Sequence, residues 1–311
     1  MARRVLVSGA AGLLGAACVD RLLARGDEVI ALVRDRDPRS RFYRSGHLDR
    51  AIEVRSELAS AQRLVAEYQP THVLHLAAQT QVTTANRTAL STFESNVRGT
   101  WLLLEHCRDV EGIVVASSDK AYGAAATPTN ESAALDPSAP YDVSKACTDL
   151  IARSYGVHFR RPVVVTRCGN LYGPGDLNMD RLVPGISMQL ARREVPVLRS
   201  TGTMTRDWTY VDDAAEATLM LLDRAAEHRG EAFNIASGEN ASVLDIVGRL
   251  RALAGGGEEP AIAAEDPRGE IAHQALDTAK IQALGWRARI GLDEGLARSF
   301  AWYRDLAADT A

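Results

Sequence analysis

The sequence predicts an α/β protein with a doubly wound parallel sheet and a second, smaller α/β lobe. Short β-rich apolar runs alternate with longer stretches of helical spacing through the first half of the chain. This alternation is typical of parallel sheets that are covered by helices on both faces. A glycine-rich turn joins the first apolar run to the first helix. The length of 311 residues also corresponds to about two domains of ordinary size.

The first half of the chain holds six predicted strands and four predicted helices, and the segments between them are short. The predicted strands are Arg3–Ser8, Glu28–Val33, Ala51–Arg55, Thr71–Leu76, Gly112–Ser117 and Pro162–Thr166. The predicted helices are Leu13–Arg25, Ala59–Tyr68, Thr88–Cys107 and Tyr141–His158, where apolar residues recur at helical spacing.

After about Leu171 the alternation becomes irregular. Here the predicted helices are Arg181–Arg193, Val211–Glu227, Val243–Ala254, Thr278–Leu284 and Leu292–Leu306, with short strands at Pro196–Arg199 and Ala232–Ile235. Proline, glycine and small residues mark two loops, Ala124–Pro140 and Ala254–Pro267. We therefore predict a first domain over residues 1–170 and a smaller lobe, mainly over residues 171–311, with some later segments packing back on the first domain.

Composition and charge exclude several classes of protein. With 36 basic and 40 acidic residues the net charge is −4, and there is no basic block to bind a nucleic-acid backbone. No run approaches the ~18 apolar residues that a membrane-spanning helix requires. The chain enters its first strand directly, without the apolar core of a signal peptide. We expect a cytoplasmic protein that binds neither nucleic acid nor membrane.

The cysteines and histidines do not predict a metal site. The four cysteines are widely spaced and form no C-x-x-C pair, which argues against structural zinc and for reduced thiols. His72 and His75 are close together, but they lie three apart on a predicted strand and so face opposite sides of the sheet.

The turn after the first strand predicts a binding site for a dinucleotide. It reads Gly9-Ala10-Ala11-Gly12-Leu13-Leu14-Gly15, and a helix follows at once. Glycines in such a turn let the backbone approach a pyrophosphate, which lies at the positive end of the helix. The predicted contacts are Gly9, Gly12, Leu13, Leu14 and Gly15, in a Rossmann-type domain.

The end of the second strand bears on the choice between NAD and NADP. An acidic residue there favours the ribose hydroxyls of NAD, whereas an arginine can pair with the extra phosphate of NADP. The chain offers Arg34 followed by Asp35. NAD is the predicted cofactor, NADP remains possible because of Arg34, and a solvated charge cluster is the third interpretation.

A tyrosine and a lysine predict acid–base chemistry at the start of a helix. Tyr141 and Lys145 are four residues apart and share a helix face. A cation close to a phenol favours the phenolate, so Tyr141 is expected to act as a base during hydride transfer. Ser118 follows a predicted strand, at the sheet edge where doubly wound folds bind their ligands.

Together these motifs resemble the extended short-chain dehydrogenase/reductase family of nucleotide-sugar enzymes. Further segments carry the resemblance over nearly the whole chain. They are His75-Leu76-Ala77-Ala78, Asn96-Val97-Arg98-Gly99-Thr100, Arg167-Cys168-Gly169-Asn170-Leu171-Tyr172-Gly173-Pro174, Arg206-Asp207-Trp208-Thr209-Tyr210-Val211-Asp212-Asp213 and Arg268-Gly269-Glu270.

The resemblance implies a role for each matching residue. Ser118 would orient the sugar 4-hydroxyl, Tyr141 would be the base, and Lys145 would bind the nicotinamide ribose. The remaining residues implied to contact the cofactor are Glu57, Leu58, Leu76, Ala77, Ala78 and Asn96. Family members usually carry an acidic residue at the end of the third strand to meet adenine, and this chain offers Ser56 and then Glu57 there. Those implied to contact a nucleoside-diphosphate sugar are Gln79, Asn170, Arg206 and Arg268.

The pair Asp119-Lys120 separates reactions within the resemblance. Simple 4-epimerases of the family usually carry small or hydroxyl residues there, and dehydratases for dTDP-glucose use Asp-Glu. Dehydratases for CDP-glucose, and some for UDP-N-acetylglucosamine, resemble this chain in using Asp-Lys. Asp119 would then be the acid for the departing 6-hydroxyl and Lys120 the base at C5. Both side chains can reach one substrate only if the strand has ended and the chain has turned.

The leading hypothesis is therefore a nucleotide-sugar 4,6-dehydratase. A 4-epimerase or decarboxylase on the same scaffold is the alternative, and a cofactor-binding sensor without turnover is the hypothesis from another class. The family resemblance also implies a homodimer through the predicted helices at residues 88–107 and 141–158. The nucleotide and the hexose are left open.

Overall fold

A computed structural model describes residues 3–262 and 272–309. Its centre is a parallel sheet of seven strands in the order β3-β2-β1-β4-β5-β6-β10. The strands are β1 (Arg4–Ser8), β2 (Glu28–Val33), β3 (Ile52–Arg55), β4 (His72–His75), β5 (Gly112–Ala116), β6 (Val163–Cys168) and β10 (Ala232–Ile235). The sheet confirms the predicted fold class and every strand predicted to lie in it, within one or two residues.

Helices cover both faces of this sheet, and the strands alternate between the two cores. Along β1, Val5 and Val7 pack into one apolar cluster while Leu6 packs into the other, as the two-residue period of a strand requires. One layer contains α1 (Leu13–Arg25) and α9 (Val211–Asp223); the other contains α3 (Ala61–Tyr68), α6 (Gly99–His106) and α7 (Pro140–Val157).

A third apolar cluster surrounds a sheet of three strands that the sequence did not predict. These strands are β7 (Asn170–Tyr172), β9 (Thr205–Tyr210) and β11 (Asn240–Ser242). The helices packed against them are α8 (Leu182–Ala191), α10 (Val243–Leu253) and α12 (Leu292–Asp309). The remaining elements are α2 (Arg41–Arg44), α4 (Val82–Arg87), α5 (Ala89–Phe93), α11 (Ala279–Ala283), β8 (Val197–Leu198) and β12 (Ala261–Ile262).

The helix predicted over Thr88–Cys107 is wrong in detail. Helix α4 ends at Arg87 because Thr88 is extended, with φ −152° and ψ 118°. The chain then forms α5, a π-helical turn at Glu94–Arg98, and α6. Within the described residues, no helix has the length and apolar character needed to cross a membrane.

Candidate active site

A cavity of about 870 Å³ opens at the carboxyl ends of the parallel strands. Short connections after β1 to β6 form its floor, and the segment 175–181 forms part of its wall. The predicted residues that line it are Gly9, Gly12, Leu13, Leu14, Gly15, Arg34, Asp35, Glu57, Leu58, Leu76, Ala77, Ala78, Gln79, Ser118, Tyr141 and Lys145.

The turn between β1 and α1 is shaped for an anion. Gly9 has a φ of +74°, and a Cβ on it would lie 2.9 Å from the nitrogen of Ala77. A Cβ on Gly15 would lie 2.0 Å from the carbonyl oxygen of Gly9. The first turn of α1 contains no acidic residue, so its free N–H groups and dipole can face a pyrophosphate. This turn fits a dinucleotide cofactor.

Charged and polar groups line the far end of the cavity, after β2 and β3. The Arg34 Nε lies 2.6 Å from an Asp35 carboxylate oxygen, and both side chains are largely exposed. Because Asp35 already faces the arginine, a further phosphate would have to compete with it. Ser56, Glu57 and Leu58 follow β3 at the same end.

Asn96 lies behind the cavity wall and does not line it. Its side chain is 2% exposed. Its Oδ1 accepts from the Gln79 backbone N–H at 2.7 Å, and its Nδ2 donates to the Gln79 carbonyl at 3.1 Å and to the Ser144 hydroxyl at 2.9 Å. The π-helical turn at Glu94–Arg98 carries Asn96, and such turns are frequent at functional sites. Asn96 thus fixes the backbone of Gln79, and its direct contact with the cofactor stays a prediction.

Tyr141 and Ser118 meet at the centre of the cavity. The helix that carries Tyr141 begins one residue earlier, at Pro140, whose fixed φ suits a first helical position. Burial raises the pKa of Tyr141 to about 12, against the opposing influence of the Arg181 cation and a hydrogen bond with Ser118. Burial thus favours the neutral phenol, whereas the cation and the hydrogen bond favour the phenolate. Arg181 is the cation that acts on the phenol most strongly, and Lys145 lines the same cavity.

Lys145 is held against the sheet. Its Nζ donates to the Ala116 carbonyl at 2.8 Å, and the side chain is 5% exposed. Burial lowers the pKa of Lys145 to about 8. The Ser117 hydroxyl donates to the Lys145 carbonyl at 3.1 Å, so the end of β5 is tied to α7. The ammonium lies at the sheet edge, beside the floor of the cavity.

A turn after the end of β5 carries Asp119 and Lys120. Their roles on one substrate require such a turn, because neighbouring residues on a strand face opposite ways. Strand β5 ends at Ala116, and a 3₁₀ turn spans Asp119–Tyr122. The Ser118 hydroxyl donates to Asp119 Oδ1 at 2.9 Å, and the Lys120 Nζ donates to the Gln274 Oε1 at 2.9 Å. Burial raises the pKa of Asp119, so this carboxyl holds a proton more tightly than an exposed one.

The structure does not place every predicted residue on the cavity surface. In the described part of the chain, those that do not line it are Asn96, Asp119, Lys120, Asn170 and Arg206. Arg206 is 7% exposed and donates to the backbone carbonyls of Thr205 at 2.9 Å and Ala272 at 3.4 Å. Asn170 is the first residue of β7 and pairs with Trp208. Arg268 lies outside the described residues.

The sequence did not single out two cations on the cavity wall. Arg181 donates to an Asp176 carboxylate oxygen at 2.9 Å and lines the cavity close to Tyr141. Arg98 follows Asn96 on the π-helical turn and pairs with Glu94 at 3.1 Å. Arg98 lies within one of the segments that carry the family resemblance, but no local pattern marks a single arginine as facing a cavity.

The comparisons with known proteins agree with this geometry. The sequence profile of the NAD dependent epimerase/dehydratase family matches residues 5–236. The chain belongs to this family. A dTDP-glucose 4,6-dehydratase of Streptomyces antibioticus is 33% identical over 97% of this chain and 92% of its own length.

Two solved structures extend the comparison. A dTDP-glucose 4,6-dehydratase from Streptomyces venezuelae, crystallised with NAD, has a TM-score of 0.89 at 30% identity and 97% coverage of both chains. A UDP-glucose 4-epimerase from Thermotoga maritima, crystallised with UDP-glucose, has a TM-score of 0.88 at 26% identity, covering 97% of this chain and 99% of its own. Membership in an NAD-dependent epimerase/dehydratase family confirms the resemblance drawn from the motifs and the predicted cofactor, NAD.

Proposed function

We propose that this protein is a nucleotide-sugar 4,6-dehydratase, which converts an NDP-hexose to the NDP-4-keto-6-deoxyhexose. The observation that carries the proposal is the turn that places Asp119 and Lys120 directly after Ser118, beside Tyr141. An enzyme that only oxidises and reduces C4 needs one acid–base couple. This turn adds a buried carboxyl and an amine, which are the two further groups that dehydration requires.

In the proposed reaction each side chain moves or holds a proton at a stated atom. Tyr141, aligned by Ser118, takes the proton of the sugar O4 in its phenolate form, which the Arg181 cation and the Ser118 hydrogen bond favour. Lys120 then removes the proton from C5, which the new C4 ketone has made acidic. Asp119 donates its proton to the departing 6-hydroxyl, and its raised pKa suits that role. NAD, which the Gly9–Gly15 turn and Lys145 would hold, would supply the acceptor for the C4 hydride and the donor of that hydride to C6. Lys120, after its proton has exchanged with solvent, returns a proton to C5.

The proposed cofactor and substrate contacts rest partly on the cavity lining and partly on the family resemblance, which supplies those of Asn170, Arg206 and Arg268. We propose that the turn at Gly9–Gly15 holds the pyrophosphate of NAD and that Lys145 binds the nicotinamide ribose. Arg206, Asn170 and Arg268 are proposed to contact the substrate diphosphate, together with Gln79 near the sugar. The cavity wall formed by residues 175–181 would shape the sugar pocket, with Arg181 as an additional cation.

A 4-epimerase is the second candidate. The cavity is lined by Ser118, Tyr141 and Lys145, whereas Asp119 and Lys120 are not among the described lining residues. That lining alone is sufficient for oxidation and reduction at C4. The relatives and solved structures include enzymes of both kinds.

One incubation separates the two candidates. The protein and NAD are incubated in deuterated water with a panel of UDP-, dTDP-, CDP- and GDP-hexoses, and the products are examined by mass spectrometry and NMR. A dehydratase gives a product that has lost one water and carries solvent deuterium at C5. An unchanged mass with inversion at C4 and no deuterium at C5 would contradict the proposal.

The domain division, the assembly and the compartment also belong to the proposal. We propose that residues 1–170 mainly bind NAD and that residues 171–311 mainly bind the substrate.

We propose a homodimer formed by α5, α6 and α7, because the large apolar side chains of Leu90, Trp101, Leu150 and Val157 are between 44 and 71% exposed on these helices. All four cysteines are free thiols, which fits the proposed cytoplasmic location.

A further inference from the structure

The side chain of Lys120 is held by a residue that is distant in sequence. Its Nζ donates to the Oε1 of Gln274 at 2.9 Å, across 154 positions of the chain. Gln274 is 7% exposed and Lys120 is partly buried, so this hydrogen bond is partly shielded from solvent. A buried amide with a single defined partner fixes that partner's direction more firmly than a surface contact does.

Gln274 belongs to a segment whose backbone is fastened on two sides. We call residues 272–278 the strap. On one side Gln274 N donates to the Thr205 carbonyl at 3.3 Å, and Thr205 N donates to the Ala272 carbonyl at 3.0 Å. On the other side Thr129 N donates to the Ala275 carbonyl at 3.0 Å. The strap therefore sets the position of the amide oxygen independently of Lys120.

The other groups near Lys120 are charged. Asp119 lies on the same turn, Asp142 lies on α7, and Arg206 on β9 lies close to Asp119. Burial raises the pKa of Asp142 to about 6, in opposition to the Lys120 cation and with a further contribution from Asp119. Gln274 is thus a neutral acceptor within a charged group of side chains.

A neutral acceptor has a specific consequence for a lysine base. An amide oxygen can accept one N–H from either the ammonium or the amine form. It orients Nζ without the full negative charge that would favour the ammonium. A carboxylate at the same place would hold the proton on Lys120 and remove the free electron pair that a base needs.

We propose that Gln274 is a positioning residue for Lys120, directing its Nζ toward the sugar C5 while allowing the amine to be neutral. The strap then contributes a determinant of the elimination step that lies outside the Ser118–Lys120 turn. The proposal deepens the proposed function and rests on it for the role of Lys120 as a base. The coupling between Gln274 and Lys120 rests on the geometry alone.

The first test measures that coupling without turnover. The chain has only three lysines, Lys120, Lys145 and Lys280, so NMR of protein with isotope-labelled lysine side chains gives three signals to titrate. In Gln274→Glu the Lys120 signal is expected to titrate at a higher pH than in the wild type, because a carboxylate within hydrogen-bond distance favours the ammonium. Gln282→Glu is the control, because Gln282 lies on α11 and its side chain donates to Thr278. This variant should leave the Lys120 signal unchanged. An unchanged Lys120 titration in Gln274→Glu overturns the proposal.

The second test measures the elimination step. Gln274→Ala is expected to lower kcat by roughly 10- to 100-fold, the scale of a misdirected catalytic group, with KM and NAD binding nearly unchanged. Deuterium incorporation at C5 should slow in parallel, and Gln274→Glu should regain rate as the pH is raised. Thermal unfolding of each variant is measured first, and the isosteric Gln274→Glu serves if Gln274→Ala does not fold.

The outcomes separate this proposal from the proposed function. If the wild-type protein only epimerises sugars, the proposed function is wrong, and the lysine titration still decides whether Gln274 controls Lys120. If the wild-type protein dehydrates a sugar but Gln274→Ala keeps full kcat, the proposed function stands and the positioning role is wrong.

Discussion

At the scale of single residues, burial sets the proton affinities in this site. It raises the pKa of Tyr141 to about 12 and of Asp142 to about 6, and it lowers the pKa of Lys145 to about 8. In each case the charged form loses its solvation. Tyr141 and Asp142 therefore bind their protons more tightly than exposed side chains do, and Lys145 gives up its proton more readily.

Replacing Tyr141 with phenylalanine tests the role of the phenol. The variant removes one hydroxyl and its hydrogen bond with Ser118, so kcat should fall roughly 10²- to 10⁴-fold, the usual contribution of a general base. NAD binding should be retained. Tyr155→Phe is the matched control, because Tyr155 lies on the same helix and donates to Glu105 at 2.9 Å. Equal steady-state rates for Tyr141→Phe and the wild type would exclude the proposed base.

Replacing Asp35 with alanine tests the choice between NAD and NADP. The change removes the carboxylate that pairs with Arg34 at 2.6 Å, so the arginine becomes available to a ribose phosphate. The Kd ratio of NADP to NAD should fall by roughly tenfold, about 1.4 kcal/mol of binding free energy. Asp37→Ala, which frees Arg39 outside the cavity, should leave the ratio unchanged. Calorimetric titration measures both, and an unaltered ratio in Asp35→Ala would show that Arg34 does not reach the ribose.

At the scale of elements, a buried histidine links three parts of the fold. His75 at the end of β4 lies 2.8 Å from the Ser8 hydroxyl of β1 and 3.0 Å from the Thr100 hydroxyl of α6. Ser8 also accepts from the backbone N–H groups of Leu76 and Ala77, which line the cavity. This network holds the ends of β1 and β4 together beneath the cofactor site.

This network predicts that the free energy of unfolding decreases at acidic pH. Burial lowers the pKa of His75 from 6.5 to about 3, so between these values the unfolded chain binds a proton that the folded chain does not. The stabilisation is complete above pH 6.5 and decreases as the pH falls, by up to about 1.4 kcal/mol per pH unit from this residue. Denaturant unfolding between pH 4 and pH 7 should show a shallower pH dependence in His75→Gln than in the wild type. His158→Gln, at an exposed site, is the control. The same dependence of unfolding free energy on pH in all three proteins would show that His75 is not the group responsible.

The elements also show what a sequence can and cannot predict. The strands of the large sheet are apolar and continuous, so they were predicted within one or two residues. Strand β9 was missed because Arg206, Asp207 and Thr209 are buried polar residues whose partners lie elsewhere. Asp207, for example, accepts from the backbone N–H groups of Ser237 and Gly238 at 2.9 Å. Such partners are set by the tertiary fold, and no local periodicity shows them.

The candidate site was predictable to a similar extent. The glycine turn, Ser118, Tyr141 and Lys145 carry local patterns, and the structure brings them to one cavity. The cation facing Tyr141 was not predictable, since Arg181 reaches it from a segment forty residues away along the chain. Gln274 was not predictable for the same reason, because it is distant from Lys120 in sequence and meets it only in the folded structure.

At the scale of the whole molecule, later segments of the chain complete the large sheet and one of its helical layers. Strand β10 pairs with β6 at the edge of the large sheet, and α9 packs with α1 on one of its faces. A buried ion pair joins β6, the strand next to this edge, to α7. Arg167 on β6 is fully buried, and its guanidinium donates to both oxygens of Asp149 on α7 at 2.7 and 2.9 Å. It also donates to Tyr122, which lies on the turn of Asp119 and Lys120.

The assembly gives a prediction at this scale. A charge on the exposed apolar face of α7 should separate the proposed dimer, because an aspartate there would have to be desolvated on association. Leu150→Asp with Val157→Asp is expected to sediment as a monomer and to keep its circular dichroism spectrum. Leu253→Asp, at an exposed apolar site on α10, should sediment like the wild type. A monomeric wild-type protein at micromolar concentration would contradict the proposed interface.

The path of one hydrogen atom tests the central claim most directly. An NDP-hexose substrate identified from the panel is prepared with deuterium at C4 and incubated with the protein and NAD in ordinary water. The account predicts a 4-keto-6-deoxy product that carries this deuterium at C6 and solvent hydrogen at C5. A product that retains the deuterium at C4 would contradict the account, because the cofactor would then have returned the hydrogen to the carbon from which it came.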